Sequence, residues 1–204
     1  MGRHTTEVSL VVAVLLIGLV LGWAAGGSLD RLGNLPLRSR RLVVGGLGVQ
    51  LAGSVVGGPF YPAGLIGSLL LITAFLVRNR GLRGTGLVAL GLLSNVIVVG
   101  ANGAMPVSRD AAGRAGVSIQ NLLTGADLRH ELVDDRTRAP WLADVVPVRL
   151  PLRPEVVSPG DVLIAAGIGQ LLVLGMLAPR TVRPTDRQGR LRRALPPPGG
   201  PVQP

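Results

Sequence analysis

Five long stretches of apolar residues divide the chain, and short polar or proline-containing segments separate them. The stretches cover residues 8–25, 42–58, 60–77, 84–101 and 161–178. Each is close to the roughly twenty residues that a helix needs to cross the hydrocarbon of a bilayer. The pattern predicts an all-α, polytopic membrane protein with about five transmembrane helices, four of them in residues 1–101.

Prolines and glycines refine this prediction. Pro59 and Pro62 cannot continue a helix interior, so a tight turn is expected at 57–62, with Phe60 and Tyr61 at the membrane interface. The second and third stretches then form a hairpin. Small residues four positions apart share one helix face and allow close packing. They are Gly18, Gly22 and Gly26, and again Gly53 and Gly57.

Residues 102–160 form the one sizeable polar segment before the last apolar stretch. Ser108 and the string Thr124-x-x-Asp127 are helix-start signals, which predict short helices near 109–115 and 125–133. About sixty residues are marginal for an independent core. We therefore expect a structured exoplasmic lid that lies on the bilayer or on the helix ends.

The fifth stretch opens with Ser158-Pro-Gly-Asp161, in which a serine N-cap precedes proline at the first helical position. Residues 179–204, which follow it, are rich in arginine and proline. We expect them to form a disordered basic cytoplasmic tail that adheres to anionic lipid head groups.

The net charge of +10 comes entirely from arginine, because the chain has no lysine. Thirteen of the 21 arginines lie in 30–41, 78–83 and 180–193, where only two acids, Asp30 and Asp186, accompany them. The other eight face nine acids. Such segregation follows the positive-inside rule and places the N-terminus outside and the C-terminus in the cytoplasm. It also argues against nucleic acid as a partner, since the charge is not spread over one face.

The first stretch has a second interpretation as a cleaved signal, since Arg3 precedes it and Gly22-Trp-Ala24 resembles a cleavage site. Cleavage would place the arginines of 31–41 outside. We therefore expect the first helix to be retained.

Polar residues inside the apolar stretches are the first functional candidates, because a polar group in lipid needs a partner. Gln50, Asn95 and Gln170 lie near the middle of their stretches and could meet between helices. Asn95 and Asn102 are seven apart, so a polar stripe could reach the lid. Interhelical hydrogen bonding is favoured over a ligand or ion path, because no charged residue joins the stripe.

The remaining motifs point away from catalysis. The chain has no cysteine, and no nucleophile elbow or phosphate loop occurs. The string Gly84-x-Gly-x-x-Ala89 lacks the βαβ context of a dinucleotide site. Acidic lid residues near His130 could bind a hard cation, but neighbouring arginines favour a solvated helix face. We expect no enzyme activity, cofactor or resident metal.

An ordered set of short strings resembles a family of small bacterial membrane proteins catalogued as domain of unknown function 5317. The strings include Arg78-Asn-Arg80, Gly91-Leu-Leu-Ser-Asn95, Ala101-Asn-Gly-Ala-Met-Pro-Val107, Leu142-Ala-Asp144 and Ser158-Pro-Gly-Asp161. The resemblance covers roughly 18–178 and implies a multi-pass protein with no assigned activity.

The polar positions chosen as functional candidates are Gln50, Arg78, Asn79, Arg80, Asn95, Asn102, Gly103, Met105, Pro106, Asp144, Asp161 and Gln170. The leading hypothesis is a non-enzymatic structural or accessory component of the cell membrane, with a homo-oligomer or membrane-protein partner. The alternatives are a small-molecule carrier or channel with a polar intramembrane path, and an envelope sensor with an exoplasmic lid.

Overall fold

The structure is a computed structural model that describes residues 8–56, 60–124, 130–149 and 154–179, and it is mostly helical. The α-helices are α1 (Val8–Ala24), α2 (Leu29–Gly33), α3 (Arg41–Val56), α4 (Phe60–Arg78), α5 (Thr85–Asn102), α6 (Arg109–Ala115), α7 (Gln120–Leu123) and α8 (Pro159–Leu177). The strands are β1 (Met105–Val107), β2 (His130–Leu132), β3 (Val146–Val148) and β4 (Glu155–Val157), and a 3₁₀ turn covers Pro140–Leu142.

The five long helices α1, α3, α4, α5 and α8 coincide with the five apolar stretches. Gly84 (φ 98°) and Gly103 (φ 91°) flank α5 in the left-handed region, where a residue without a Cβ is not strained. Helix α4 begins at Phe60, so Pro62 lies in its first turn instead of in the predicted turn. Proline is tolerated there because the first backbone N–H groups of a helix have no intrahelical acceptor.

Helices α1 and α8 pack side by side and run in the same direction. A Cβ added at Gly18 would lie 3.1 Å from Leu172 Cδ1, and one added at Gly22 would lie 2.5 Å from Met176 Sδ. Positions that increase together along both helices define a parallel pair. The glycines predicted to share a packing face therefore do contact a neighbouring helix, although nothing lies within 4 Å of a Cβ at Gly26.

Helix α5 packs against the other side of α8 and runs in the opposite direction. Gly84 lies against Gly167 near one end of the pair, and Gly91 lies against Gly160 near the other. A Cβ at Gly167 would lie 2.6 Å from the Gly84 carbonyl oxygen, so the two backbones are almost in contact. Helix α8 is thus the central helix of a group formed with α1 and α5.

Helices α3 and α4 form an antiparallel hairpin of their own. A Cβ at Gly53 would lie 3.0 Å from the Cα of Gly64, and one at Gly46 would lie 3.2 Å from Ile72. Gly57, the second glycine of the predicted contact motif, lies outside the described residues. The hairpin prediction is confirmed by this packing, with Gly64 as the partner of Gly53.

The segment after α5 is not purely helical, which corrects the all-α prediction. Strand β1 pairs in parallel with β2, and β3 pairs antiparallel with β4. Helix α6 lies where Ser108 predicts it. The helix predicted at 125–133 is wrong for 130–132, because pairing with β1 keeps those residues extended; residues 125–129 lie outside the described part.

The outward faces of the long helices are strongly apolar. Two helices, Thr85–Asn102 and Pro159–Leu177, are long and apolar enough to cross a membrane, and only 17% and 22% of their residues are buried. Large apolar side chains also point outward from α1, α3 and α4, including Val20, Leu51 and Leu70. Within the part of the chain that the structure describes, no residue covers these side chains.

Candidate functional site

Three polar residues meet between α5 and α8, and we call them the Asn95 cluster: Asn95, Ser158 and Asp161. The Asn95 Nδ2 group donates to Asp161 Oδ1 at 2.7 Å. The Ser158 hydroxyl lies 2.9 Å from Asn95 Oδ1 and 2.8 Å from Asp161 Oδ2. The cluster therefore joins the middle of α5 to the first turn of α8.

Local sequence explains why these groups are in place. The Ser158 hydroxyl accepts from the Asp161 backbone N–H, and the Asp161 carboxylate accepts from the Ser158 N–H, both at 3.0 Å. This reciprocal capping box begins α8 as predicted. Gly160 lets α5 approach, because a Cβ there would overlap Asn95 Oδ1.

The hydrogen-bonding capacity of the cluster is used within the protein. Ser158 is fully buried, and its single hydroxyl proton can serve only one of its two acceptors at a time. The Asp161 carboxylate accepts from Asn95 and from the Ser158 N–H. Among the described residues no arginine or histidine side chain donates to the cluster, so the Asp161 carboxylate is held by Asn95 and by the first turn of α8. The arrangement is suited to holding two helices together.

Gln50 and Gln170 do not join this cluster, which corrects the expected meeting of three mid-helix amides. Gln50 lies on α3, where its Oε1 accepts from the Ser68 hydroxyl at 3.2 Å. Gln170 is exposed on α8, nine residues after Asp161 and so about 14 Å further along the axis. The expectation is wrong because α8 begins beside the middle of α5, which places Gln170 towards the opposite end.

Asn102 anchors the following segment to the end of α5. Its Nδ2 donates to Val98 O at 2.8 Å and to Arg138 O at 3.0 Å, and its Oδ1 accepts from the Arg138 N–H at 2.7 Å. Gly103 then ends the helix. The stripe predicted from Asn95 to Asn102 is therefore two separate hydrogen-bonded contacts.

Met105, Pro106 and Asp144 lie in the buried base of this segment. Met105 and Pro106 belong to β1, all three residues of which are buried. The Asp144 N–H donates to Pro106 O at 2.9 Å, and Asp144 O accepts from the Ser108 N–H at 2.9 Å. These contacts give the three candidates a structural role, which holds β1 against the chain around residue 144.

Asn79 joins two arginine-containing connections. Its Oδ1 accepts from the Arg38 N–H at 2.8 Å, and its Nδ2 donates to Arg38 O at 2.9 Å and Phe75 O at 2.8 Å. Asn79 is buried, whereas Arg78 and Arg80 beside it are exposed. The sequence marked Asn79 as a candidate, but its partner is the backbone 41 residues earlier, which no local pattern reveals.

The acidic residues between α5 and α8 do not form a metal centre within the described part of the chain. No group of three or more His, Cys, Asp or Glu close enough to hold a metal occurs within the described ranges, and Asp127 lies outside them. The pKa of Asp134 is lowered, first because the Arg136 backbone N–H donates to its carboxylate and then because the Thr137 hydroxyl does. Asp134 thus closes a local turn.

The model of the family of unknown function DUF5317 matches residues 37–173. The chain belongs to this family. The matched range contains α3–α7, most of α8 and every hydrogen bond of the Asn95 cluster. No curated protein and no solved structure matches the chain.

Proposed function

We propose that this DUF5317 member is a multi-pass protein of the bacterial cytoplasmic membrane that acts as a non-enzymatic structural or accessory component. The observation that carries the proposal is the apolar outer surface of the long helices. Core helices of a soluble protein would be mostly buried, whereas less than a quarter of α5 and of α8 is buried. Leaving so many large apolar side chains in water would be strongly unfavourable.

The helix directions support five crossings. Successive crossings alternate, so the first and fifth must be parallel, and each must be antiparallel to the fourth. Helices α1 and α8 are parallel, and α5 is antiparallel to α8. The 19 residues of α8 extend about 28 Å, close to the roughly 30 Å of bilayer hydrocarbon.

The distribution of charged and aromatic residues supports the orientation expected from the sequence, with the N-terminus outside the cytoplasm and the C-terminus inside it. Asn79 joins the connection after α4 to that before α3, and the Ser28 N–H donates to Met176 O near the end of α8 at 3.0 Å. The arginine-containing connections therefore meet at one end, which we assign to the cytoplasm. Trp23 and Trp141 are exposed near opposite ends, as tryptophans of the two membrane interfaces would be.

An accessory role is favoured over a carrier because Asn95 and Gln50, two of the polar candidates within the helices, bond to neighbouring helices. The Asn95 cluster is satisfied internally, Gln50 bonds to the neighbouring helix, and Gln170 faces outward. A transport path would need polar groups of several helices turned towards a shared space. The proposed partner is a second copy of the chain or another membrane protein.

Cysteine labelling tests the topology directly, because the natural chain has no cysteine that would react. Ser39→Cys and Thr137→Cys lie in the two connections assigned to opposite sides and are both outside the long helices. A membrane-impermeant maleimide should label Thr137→Cys in intact spheroplasts and Ser39→Cys only after lysis. Labelling of both positions before lysis, or the reverse order, would exclude the proposed orientation.

Purification in mild detergent tests the accessory role. Light scattering and mass spectrometry of the purified protein should reveal a homo-oligomer or a co-purifying membrane protein. A monomer without a partner, retained across several detergents, would contradict the proposal.

A further inference from the structure

A small cleft opens at the arginine-rich end of the helices, between the connection before α3 and the connection after α4. Its volume is about 220 Å³. It is lined by Pro36, Arg38, Arg78, Asn79, Gly81 and Leu82. Two guanidinium side chains and two apolar side chains therefore border one space.

The cleft is held open by fixed backbone. The Asn79 side chain bonds to both the N–H and the C=O of Arg38 and also to Phe75 O. The Asn79 side chain is 4% exposed, and its amide groups are all used in these bonds. Asn79 thus fixes the distance between the two backbone segments that carry Arg38 and Arg78.

The electrostatic surroundings favour an anion. Arg38 and Arg78 are exposed, and within the described ranges neither forms an ion pair with a carboxylate. Five further arginines (Arg31, Arg40, Arg41, Arg80 and Arg83) lie in the same two connections, against the single acid Asp30. An anion in the cleft would therefore meet an unneutralised positive field.

We infer that this cleft binds the phosphate of an anionic phospholipid in the cytoplasmic leaflet, an inference that rests on the proposed membrane topology. The planar guanidinium fork matches phosphate oxygens in a bidentate manner. Pockets for drug-sized ligands measure roughly 300–1,000 Å³, so this smaller cleft fits a charged head group better than a large solute. Pro36 and Leu82 offer apolar contact to the glycerol and upper acyl chain. Free phosphate shares the charged chemistry but not the apolar part.

The test uses the purified full-length protein in zwitterionic detergent, with short-chain phosphatidylglycerol as the probe and native mass spectrometry as the readout. The cleft variant is Arg38→Gln with Arg78→Gln. The matched control is Arg80→Gln with Arg83→Gln, which removes the same charge from the connection after α4 at two positions that do not line the cleft. Phosphatidylcholine and inorganic phosphate are tested as competitors.

The wild type and the control should bind phosphatidylglycerol with affinities within a few-fold of each other. The cleft variant, which loses the direct guanidinium–phosphate bonds, should bind about 30-fold more weakly. Equal loss in both variants would overturn the inference, because the attraction would then be diffuse. Displacement of the lipid by inorganic phosphate or phosphatidylcholine at equal concentration would also overturn it.

Alkaline extraction of membranes separates this inference from the topology on which it rests. All variants should stay in the membrane pellet. Extraction of the wild type would refute the membrane proposal, whereas intact insertion without lipid binding would refute the cleft alone.

Discussion

Replacing Asn95 by leucine should uncouple α5 from the start of α8. Leucine has the same branched shape as asparagine but can neither donate to Asp161 nor accept from Ser158. The capping box of α8 stays complete, because Ser158 and Asp161 still satisfy each other. The substitution therefore removes the interhelical part of the network and leaves the helix start unchanged.

The size of the effect follows from the two bonds that are lost. Interhelical hydrogen bonds in membrane proteins are worth about 0.6 kcal/mol on average and up to roughly 1.7 kcal/mol. The bond to the Asp161 carboxylate is charge-assisted and short, at 2.7 Å, so it belongs at the upper end. We expect Asn95→Leu to lower the free energy of unfolding by about 2 kcal/mol.

The matched control is Gln170→Leu, which replaces an amide with leucine at an exposed position of α8. It removes a polar group that faces outward, so stability should stay within about 0.5 kcal/mol or rise. Equilibrium unfolding in mixed micelles, followed by circular dichroism, measures both variants. A double-mutant cycle of Asn95→Leu with Asp161→Asn then isolates their coupling.

Two results would refute this reasoning. Asn95→Leu could be as stable as the wild type, or Gln170→Leu could lose as much stability as Asn95→Leu. The first would mean that the cluster does not hold the helices together. The second would mean that any leucine in these helices acts through a general effect.

Three further predictions concern helix packing, the segment between α5 and α8, and a carboxylate in that segment. Gly91→Val should prevent tight packing, because a Cβ would overlap a backbone carbonyl, and thermal unfolding should show a loss of about 2 kcal/mol. Gly86→Ala, with open space around it, should gain up to about 1 kcal/mol. Asn102→Ala should speed amide hydrogen exchange around Arg138, because the bonds that tie this backbone to the end of α5 are lost. Unchanged protection of these amides would show that other contacts hold the segment in place. Because the pKa of Asp134 is lowered, the stability that its carboxylate adds to the local turn is fully present above the ordinary pKa of 3.8. That stability is lost as the pH falls through the lower pKa of the folded state. Carboxyl NMR titration should show Thr137→Ala moving that pKa towards 3.8, and an unchanged pKa would contradict the assigned cause.

The amino-acid sequence by itself determined the long helices and several of their ends. A stretch of apolar residues, a serine cap or a glycine stop acts through neighbouring residues, so α8 begins at the predicted capping box. The uneven distribution of arginine along the chain is also evident from the sequence alone. These signals are local in the chain, and the five long helices and α6 lie close to where the signals predict them.

Only the tertiary structure decided which polar groups meet. Asn95 finds Asp161 across 66 residues, because the glycines of α5 and α8 allow an approach that sets the stagger of the two helices. That stagger separates Gln170 from Asn95, although the position of each in its own stretch indicates a common depth. Strand β2 likewise forms where a helix is predicted, because its partner β1 lies 25 residues earlier. Side-chain partners and strand pairs depend on distant backbone, and no short window of sequence contains that information.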